Sequence, residues 1–292
     1  MLRTIKDIAL AFVRPTLDAL FFGRHLPWSL RWRLLALQPI VFLTNSLVLV
    51  PTLFRRPYTV IHIPVNPGRS LRALLFKEPG TGTGRKGLRP LHVDCHAGGF
   101  VGGIPEASVP FCSLVAAETG AVVISLSYRL APVHPFPAAI DDVDAAIAWL
   151  RQHAAEEFGA DPTLMTVSGA SAGGNLVLAA NRRIPSEEFA IRAAVTFYAP
   201  VDLRLGPEDK PAIDILVQEQ LMFVERVKNE REEKGKSGSS IEAVFVEEAF
   251  HGWLEVPNSV IPMEKKMTML DKGLELVKHT HTQYGYRWEK AS

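Results

Sequence analysis

Residues 164–175, Leu-Met-Thr-Val-Ser-Gly-Ala-Ser-Ala-Gly-Gly-Asn, constrain this chain more than any other stretch. A short apolar run leads into Ser171, which stands in a G-x-S-x-G pattern between Gly169 and Gly173, and a helix-like run of small residues follows. A serine on so sharp a strand-to-helix turn is held in strained backbone geometry, and the flanking glycines leave room for strand and helix to approach. Its hydroxyl then stands clear of the sheet. The first N–H groups and the positive dipole end of the following helix favour negative charge developing beside it. Read without that context, the same residues are a glycine-rich turn.

Around this turn, short apolar runs alternate with helical stretches. Residues 58–65 and 70–76 read as a hairpin about Asn66-Pro67-Gly68, 80–87 as a loop, and 90–95 as a buried strand. Helix 107–118, strand 121–127, helix 138–153, strand 164–167, helix 173–180 and strand 193–198 follow. In 138–153, Ile140, Val143, Ile147 and Leu150 share one face. This alternation predicts an α/β fold with a mostly parallel central sheet and helices on both faces. Further on, 214–234 reads as an amphipathic helix with Val217, Leu221, Val224 and Val227 inward, and 241–246 as a strand. A last helix carries Met267, Leu270, Leu274 and Val277 toward the sheet.

The chain has 292 residues, 47% of them apolar, enough to bury a sizeable core and to exclude disorder as the dominant state. Thirty-two basic against 31 acidic residues leave a net charge of +1, which offers no field for capturing nucleic acid. The two cysteines, Cys95 and Cys112, make neither a disulfide framework nor a zinc site, so a reducing, cytoplasmic compartment is expected and neither redox nor metal chemistry is suggested.

The amino terminus stands apart, and residues 1–56 are expected to form a unit distinct from a catalytic domain at 57–292. Residues 1–13 fit an amphipathic helix ended by Pro15 better than a signal peptide. From 34 to 54 there is no charged residue, while Arg31, Arg33, Arg55 and Arg56 flank the run. By length it can span a bilayer. Gln38, Pro39, Asn45, Ser46 and Pro51 interrupt it, and each would need partners inside lipid. The other reading is one or two short helices forming a cap over a pocket, resting on a membrane surface.

A second glycine-dense loop follows the strand at 90–95, in Val93-Asp-Cys-His96-Ala-Gly98-Gly99-Phe-Val-Gly-Gly. It is either a plain turn or a loop that aims N–H groups at an oxyanion, and in the second reading Gly98, Gly99 and Ala172 are the donors. Three motifs together carry a resemblance: His96-Ala-Gly-Gly; Tyr128-Arg-Leu-Ala-Pro with Phe136-Pro-Ala-Ala and Asp142; and Gly169-Ala-Ser-Ala-Gly-Gly-Asn. From about residue 58 to 253 the chain resembles the hormone-sensitive lipase branch of the α/β-hydrolases. The resemblance implies a carboxylic-ester hydrolase with a helical cap, working without metal or organic cofactor on a small-molecule ester. The family usually has His-Gly-Gly-Gly; here Ala97 takes the second position and Gly98 and Gly99 are kept.

His251, in Ala249-Phe-His-Gly-Trp253, is the best placed of the nine histidines to serve as general base, late in the chain as the order serine, acid, histidine requires. His62, His92, His134, His153, His279 and His281 read as surface or satisfied core residues, and His96 resembles the family's loop histidine. Asp214, in Asp214-Ile-Leu-Val-Gln-Glu-Gln, resembles the family's acid motif and is the first choice to orient the imidazole; Asp202 is the second. The family has a strand directly before that acid, whereas 203–213 is a polar, Pro-rich loop, so an internal segment and one sheet strand are expected to be missing. If no acid reaches His251, the alternative is a catalytically impaired or non-catalytic ligand-binding protein.

Overall fold

The computed structural model describes residues 13–54, 56–181, 190–201, 217–233, 241–244, 246 and 249–290. The hairpin is present: β1 (Thr59–Asn66) pairs antiparallel with β2 (Arg69–Phe76), and the positive φ of Gly68 lies in the turn between them. The expected loop at 80–87 instead holds β3 (Gly80–Gly82) and a 3-10 turn at Arg85–Gly87. Its partner is β8 (Trp288–Lys290), so the chain's end closes a two-stranded sheet beside the main one.

The main sheet adds β4 (Arg89–Cys95), β5 (Val122–Leu126), β6 (Ala160–Ala170) and β7 (Ile191–Phe197), in the order β1-β2-β5-β4-β6-β7. β4, β5, β6 and β7 run parallel, and β4 and β5 are buried along their whole length, as strands covered on both faces must be. One cover is α4 (Ala138–Phe158) with α5 (Ala172–Asn181), which place Val143, Ile147, Leu150, Leu176 and Val177 on Val93, Ile124 and Val167. The other is α3 (Val109–Thr119) with α7 (Met263–Gln283), where Phe111, Val115, Leu270, Leu274 and Val277 meet Leu74, Phe76 and Val123. α3 and α4 each end at a left-handed glycine, Gly120 and Gly159.

Among the described residues no strand lies beyond β7. Residues 241–244 and 246, read as part of a strand, are irregular. The physical reason is exposure: Glu242, Ala243 and Val244 face solvent, and a run of β-prone residues makes a strand only where a neighbour packs against it. α6 (Val217–Glu233) is helical as expected, but Leu221 is exposed and Glu219 is buried. That face turns inward because Glu219 accepts the Val201 N–H at 2.8 Å and Gln220 donates to the Ala199 carbonyl at 2.9 Å.

At the amino terminus residues 13–21 are helical (α1), so Pro15 does not end a helix; residues 1–12 lie outside the described residues. α2 (Trp28–Phe54) is one unbroken helix through Pro39. Its polar side chains turn back on its own carbonyls, Gln38 to Leu34, Thr44 to Ile40 and Ser46 to Phe42. The helix is inside out. Leu34, Gln38, Asn45 and Leu49 are buried, while Trp28, Trp32, Ile40, Leu43 and Leu47 are exposed. Its inner side touches the loop after β4, where Val41 lies so close to Gly102 that a Cβ there would come within 2.7 Å of it.

Candidate active site

β6 ends and α5 begins at Ser171, a strand-turn-helix junction. Ser171 is buried with φ of 49°, the left-handed backbone that a β-carbon normally avoids. Three contacts hold it there: its N–H donates to the Phe197 carbonyl at the end of β7 (2.9 Å), its carbonyl accepts from Asn175 N–H (3.2 Å), and Asn175 Nδ2 donates to Pro200 O (2.8 Å). Both glycines are required by space. A Cβ on Gly173 would sit 2.0 Å from the Cys95 carbonyl oxygen, and one on Gly169 2.5 Å from the Gly173 carbonyl carbon.

The same contact brings the start of α5 against the loop that follows β4. Gly98 (φ 138°) and Gly99 (φ 59°) turn this loop, and the carbonyl of Gly98 accepts from Val101 and Gly102. A Cβ on Gly98 would lie 2.0 Å from Gly102 O. The Tyr128-Arg-Leu-Ala-Pro segment braces it: Tyr128 stacks on His96 (4.4 Å between centroids), its hydroxyl donates to His96 O, and Ala131 N–H donates to Phe100 O. Arg129 is fixed in turn by Asp142, at 2.9 Å, and Arg69 reaches the same buried carboxylate at 2.7 Å. Burial holds the His96 imidazole down to about 4, which keeps it neutral.

Ser171 Oγ lies 2.8 Å from Nε2 of His251. The histidine is exposed, on the irregular turn at 250–255, where Gly252 has a φ of 81° and Trp253 is buried beneath. Asp214 and Asp202, the two sequence choices for the acid, both lie outside the described residues, as does 203–213.

Sequence reasoning missed two groups. Tyr198, with φ of 40°, sets its ring edge-to-face on His251 at 5.2 Å, and its hydroxyl donates to Glu255, 2.7 Å from each carboxylate oxygen. Burial pushes the Glu255 carboxyl up and the Tyr198 phenol well up. The second is a buried polar chain beneath the elbow: Ser168 Oγ donates to Asp94 (2.6 Å) and meets His92 Nε2 (2.9 Å), Thr166 meets His92 Nδ1 (2.8 Å), and Ser125 donates to Asp94 (2.9 Å). Burial depresses His92 to about 3 and raises Asp94. His92 is thus a satisfied core histidine as expected, while His281 is buried with neither ring nitrogen partnered. The signal for the first group was available: Tyr198 closes an expected strand, and Glu255 follows the expected base by four residues.

The alpha/beta hydrolase fold family model matches residues 92–282. The carboxylic ester hydrolase LipN of Mycobacterium tuberculosis is 46% identical over 90 residues, 31% of this chain and 24% of that protein. An ethyl acetate hydrolase of Pseudomonas putida is 33% identical over 144 residues, 49% of this chain and 44% of that protein. The chain therefore spans less than half the length of these relatives. Among solved structures, the esterase of Pyrobaculum calidifontis superposes with a TM-score of 0.63 at 23% identity, over 81% of this chain and 88% of that one. A parallel sheet covered on both faces, a left-handed serine at its β6–α5 junction, a histidine within reach of that serine and a matching model over nearly two thirds of the sequence place this chain in the α/β-hydrolase family.

Proposed function

We propose that the protein is a serine carboxylic-ester hydrolase of the hormone-sensitive lipase type, acting on small or medium hydrophobic esters through an acyl-enzyme. The observation that carries this reading is the Ser171 Oγ to His251 Nε2 distance of 2.8 Å at a left-handed elbow. Ser171 adds to the ester carbonyl as its proton passes to His251. The N–H groups of Gly98, Gly99 and Ala172 take the developing oxyanion, each worth roughly 10²–10³ in rate. His251 then protonates the departing alcohol, and a water deprotonated by His251 releases the acid and restores Ser171. Asp214 is assigned to hold the imidazole, with Asp202 as the second choice. The test is turnover of p-nitrophenyl butyrate. Wild type should exceed Ser171→Ala by at least about 10³-fold; equal rates would remove the enzyme and leave a ligand-binding protein.

Residues 1–56 are assigned to a membrane-associating cap on a catalytic domain at 57–292. The inside-out pattern of α2 supports this, with Trp32, Ile40, Leu43 and Leu47 outward and Gln38 and Asn45 inward. So does charge: Arg14, Arg24, Arg31 and Arg33 flank these faces, and the nearby acid, Asp18, is paired to Arg14. Trp28–Leu49 is also long and apolar enough to cross a bilayer. Cosedimentation with phosphatidylcholine–phosphatidylserine vesicles tests the assignment. The protein should pellet with them and Ile40→Glu/Leu43→Glu should remain in solution; equal behaviour would overturn it. Release by high salt marks surface docking, and retention marks a span.

A further inference from the structure

The turn carrying His251 is irregular, exposed and preceded by irregular chain among the described residues, yet its imidazole must meet Ser171 within a fraction of an ångström. We infer that Tyr198 and Glu255 are positioning residues of the catalytic base, forming a latch that ties the His251 turn to the strand end that holds the nucleophile. The inference rests on the hydrolase reading above and adds a function to two residues that it leaves unused.

The path is short and each link is defined. Ser171 N–H is bonded to Phe197 O, at 2.9 Å. The next residue, Tyr198, bends the chain in left-handed backbone, which turns its ring across His251 instead of along the sheet edge. Its hydroxyl reaches Glu255, four residues beyond His251 on the same turn. Glu255 is half-buried against Tyr198 and close to Lys266, whose ammonium is held by the Val256 carbonyl and by Asn258. Gly252 and the Glu255 N–H to Gly252 carbonyl bond (3.1 Å) curl the turn so that His251 and Glu255 bracket the tyrosine. Displacement of the base turn therefore requires either breaking the Tyr198–Glu255 bond or dragging Tyr198, and Phe197 with it.

The bond needs an acceptor at 255 more than a charge. Burial raises the Glu255 carboxyl, and a neutral carboxyl or an amide oxygen accepts from a phenol equally well in geometry. Glu255→Gln should therefore preserve the latch, Glu255→Ala should open it, and Tyr198→Phe should open it while leaving the ring.

The experiment combines ester kinetics with histidine-selective NMR of the full chain. Tyr198→Phe and Glu255→Ala should each lower kcat about tenfold with KM changed less than twofold, since the base and not the substrate is displaced. The double variant should be no worse than either single, because both remove one bond. Glu255→Gln should return to within threefold of wild type. The His251 ring signals should shift in the first two variants and hold in Glu255→Gln. Unchanged His251 signals in Tyr198→Phe and Glu255→Ala would overturn the inference, as would additive losses of kcat. The ring signals are read without turnover, so an inactive wild type would remove the hydrolase reading while the latch is still decided.

Discussion

Ser171 and His251 meet at 2.8 Å across eighty residues of chain, and one dipeptide, Phe197-Tyr198, touches both. Phe197 fixes the nucleophile through a backbone bond and packs edge-on against Phe111 at 5.2 Å, which roots the junction in the core. The pair thus depends on β7, the last strand of the main sheet among the described residues.

The tight curl of the loop after β4 makes Gly98 irreplaceable, and the close approach of α5 to the end of β4 does the same for Gly173. Gly98→Ala meets Gly102 O and Gly173→Ala meets Cys95 O, both backbone atoms that cannot swing aside. Each should cost about 3 kcal/mol or more in urea unfolding and abolish measurable turnover. Gly68→Ala, with the same sign of φ but open space around it, should cost only about 1 kcal/mol and leave turnover intact.

Asp142 is wholly buried between Arg129 and Arg69, and its Oδ2 also accepts the Arg129 N–H. Asp142→Asn should destabilise the protein by about 3 kcal/mol, read from the urea midpoint at unchanged slope. Because Arg129 leads into the segment bracing Phe100, the variant should also lose kcat in excess of any change in KM.

Acid should unfold this protein early. His92 is held down to about 3, and His96 and His281 to about 4, all by burial, whereas in the unfolded chain each takes a proton near pH 6.5. The unfolded state therefore binds more protons below about pH 6.5, and stability is complete above that value. It falls by about 1.4 kcal/mol per pH unit for each histidine until the folded values are reached. Asp94 and Glu255, raised by burial, act in the opposite sense and lose stability as pH rises above the carboxylate range. Thermal melts from pH 7.5 to 4.5 should hold level down to about pH 6.5 and fall below it, and replacing His281, whose ring nitrogens have no hydrogen-bond partner, by Phe should flatten that fall; an equal slope in His281→Phe contradicts the assignment.

The elements around the nucleophile were legible because local chemistry and global fold agree there. Gly169 and Gly173 have a steric reason that can be stated from the sequence, and β4 and β5 read as buried strands, which they are because both faces are covered. The region after β7 was not. Residues 241–246 form a short, mostly apolar run that reads as a strand, and composition does not say whether a neighbour exists to bury it. α6 turned by one face for a related cause: the bonds of Glu219 and Gln220 to the segment after β7 outweigh the burial of Leu221. α2 reads as apolar from either side, and its orientation, polar side in, is a tertiary fact. Each half of the latch had a local signal, but Tyr198 and Glu255 are 57 residues apart and only the fold shows that they meet.

The central claim is that His251 activates Ser171. Intact-protein and peptide mass spectrometry after brief exposure to a fluorophosphonate tests it most directly. The account predicts a single phosphonyl adduct on Ser171, absent in Ser171→Ala and at least about a hundredfold slower to form in His251→Ala. Labelling of Ser171 at the same rate with and without the imidazole, or no labelling of the wild type, would contradict it.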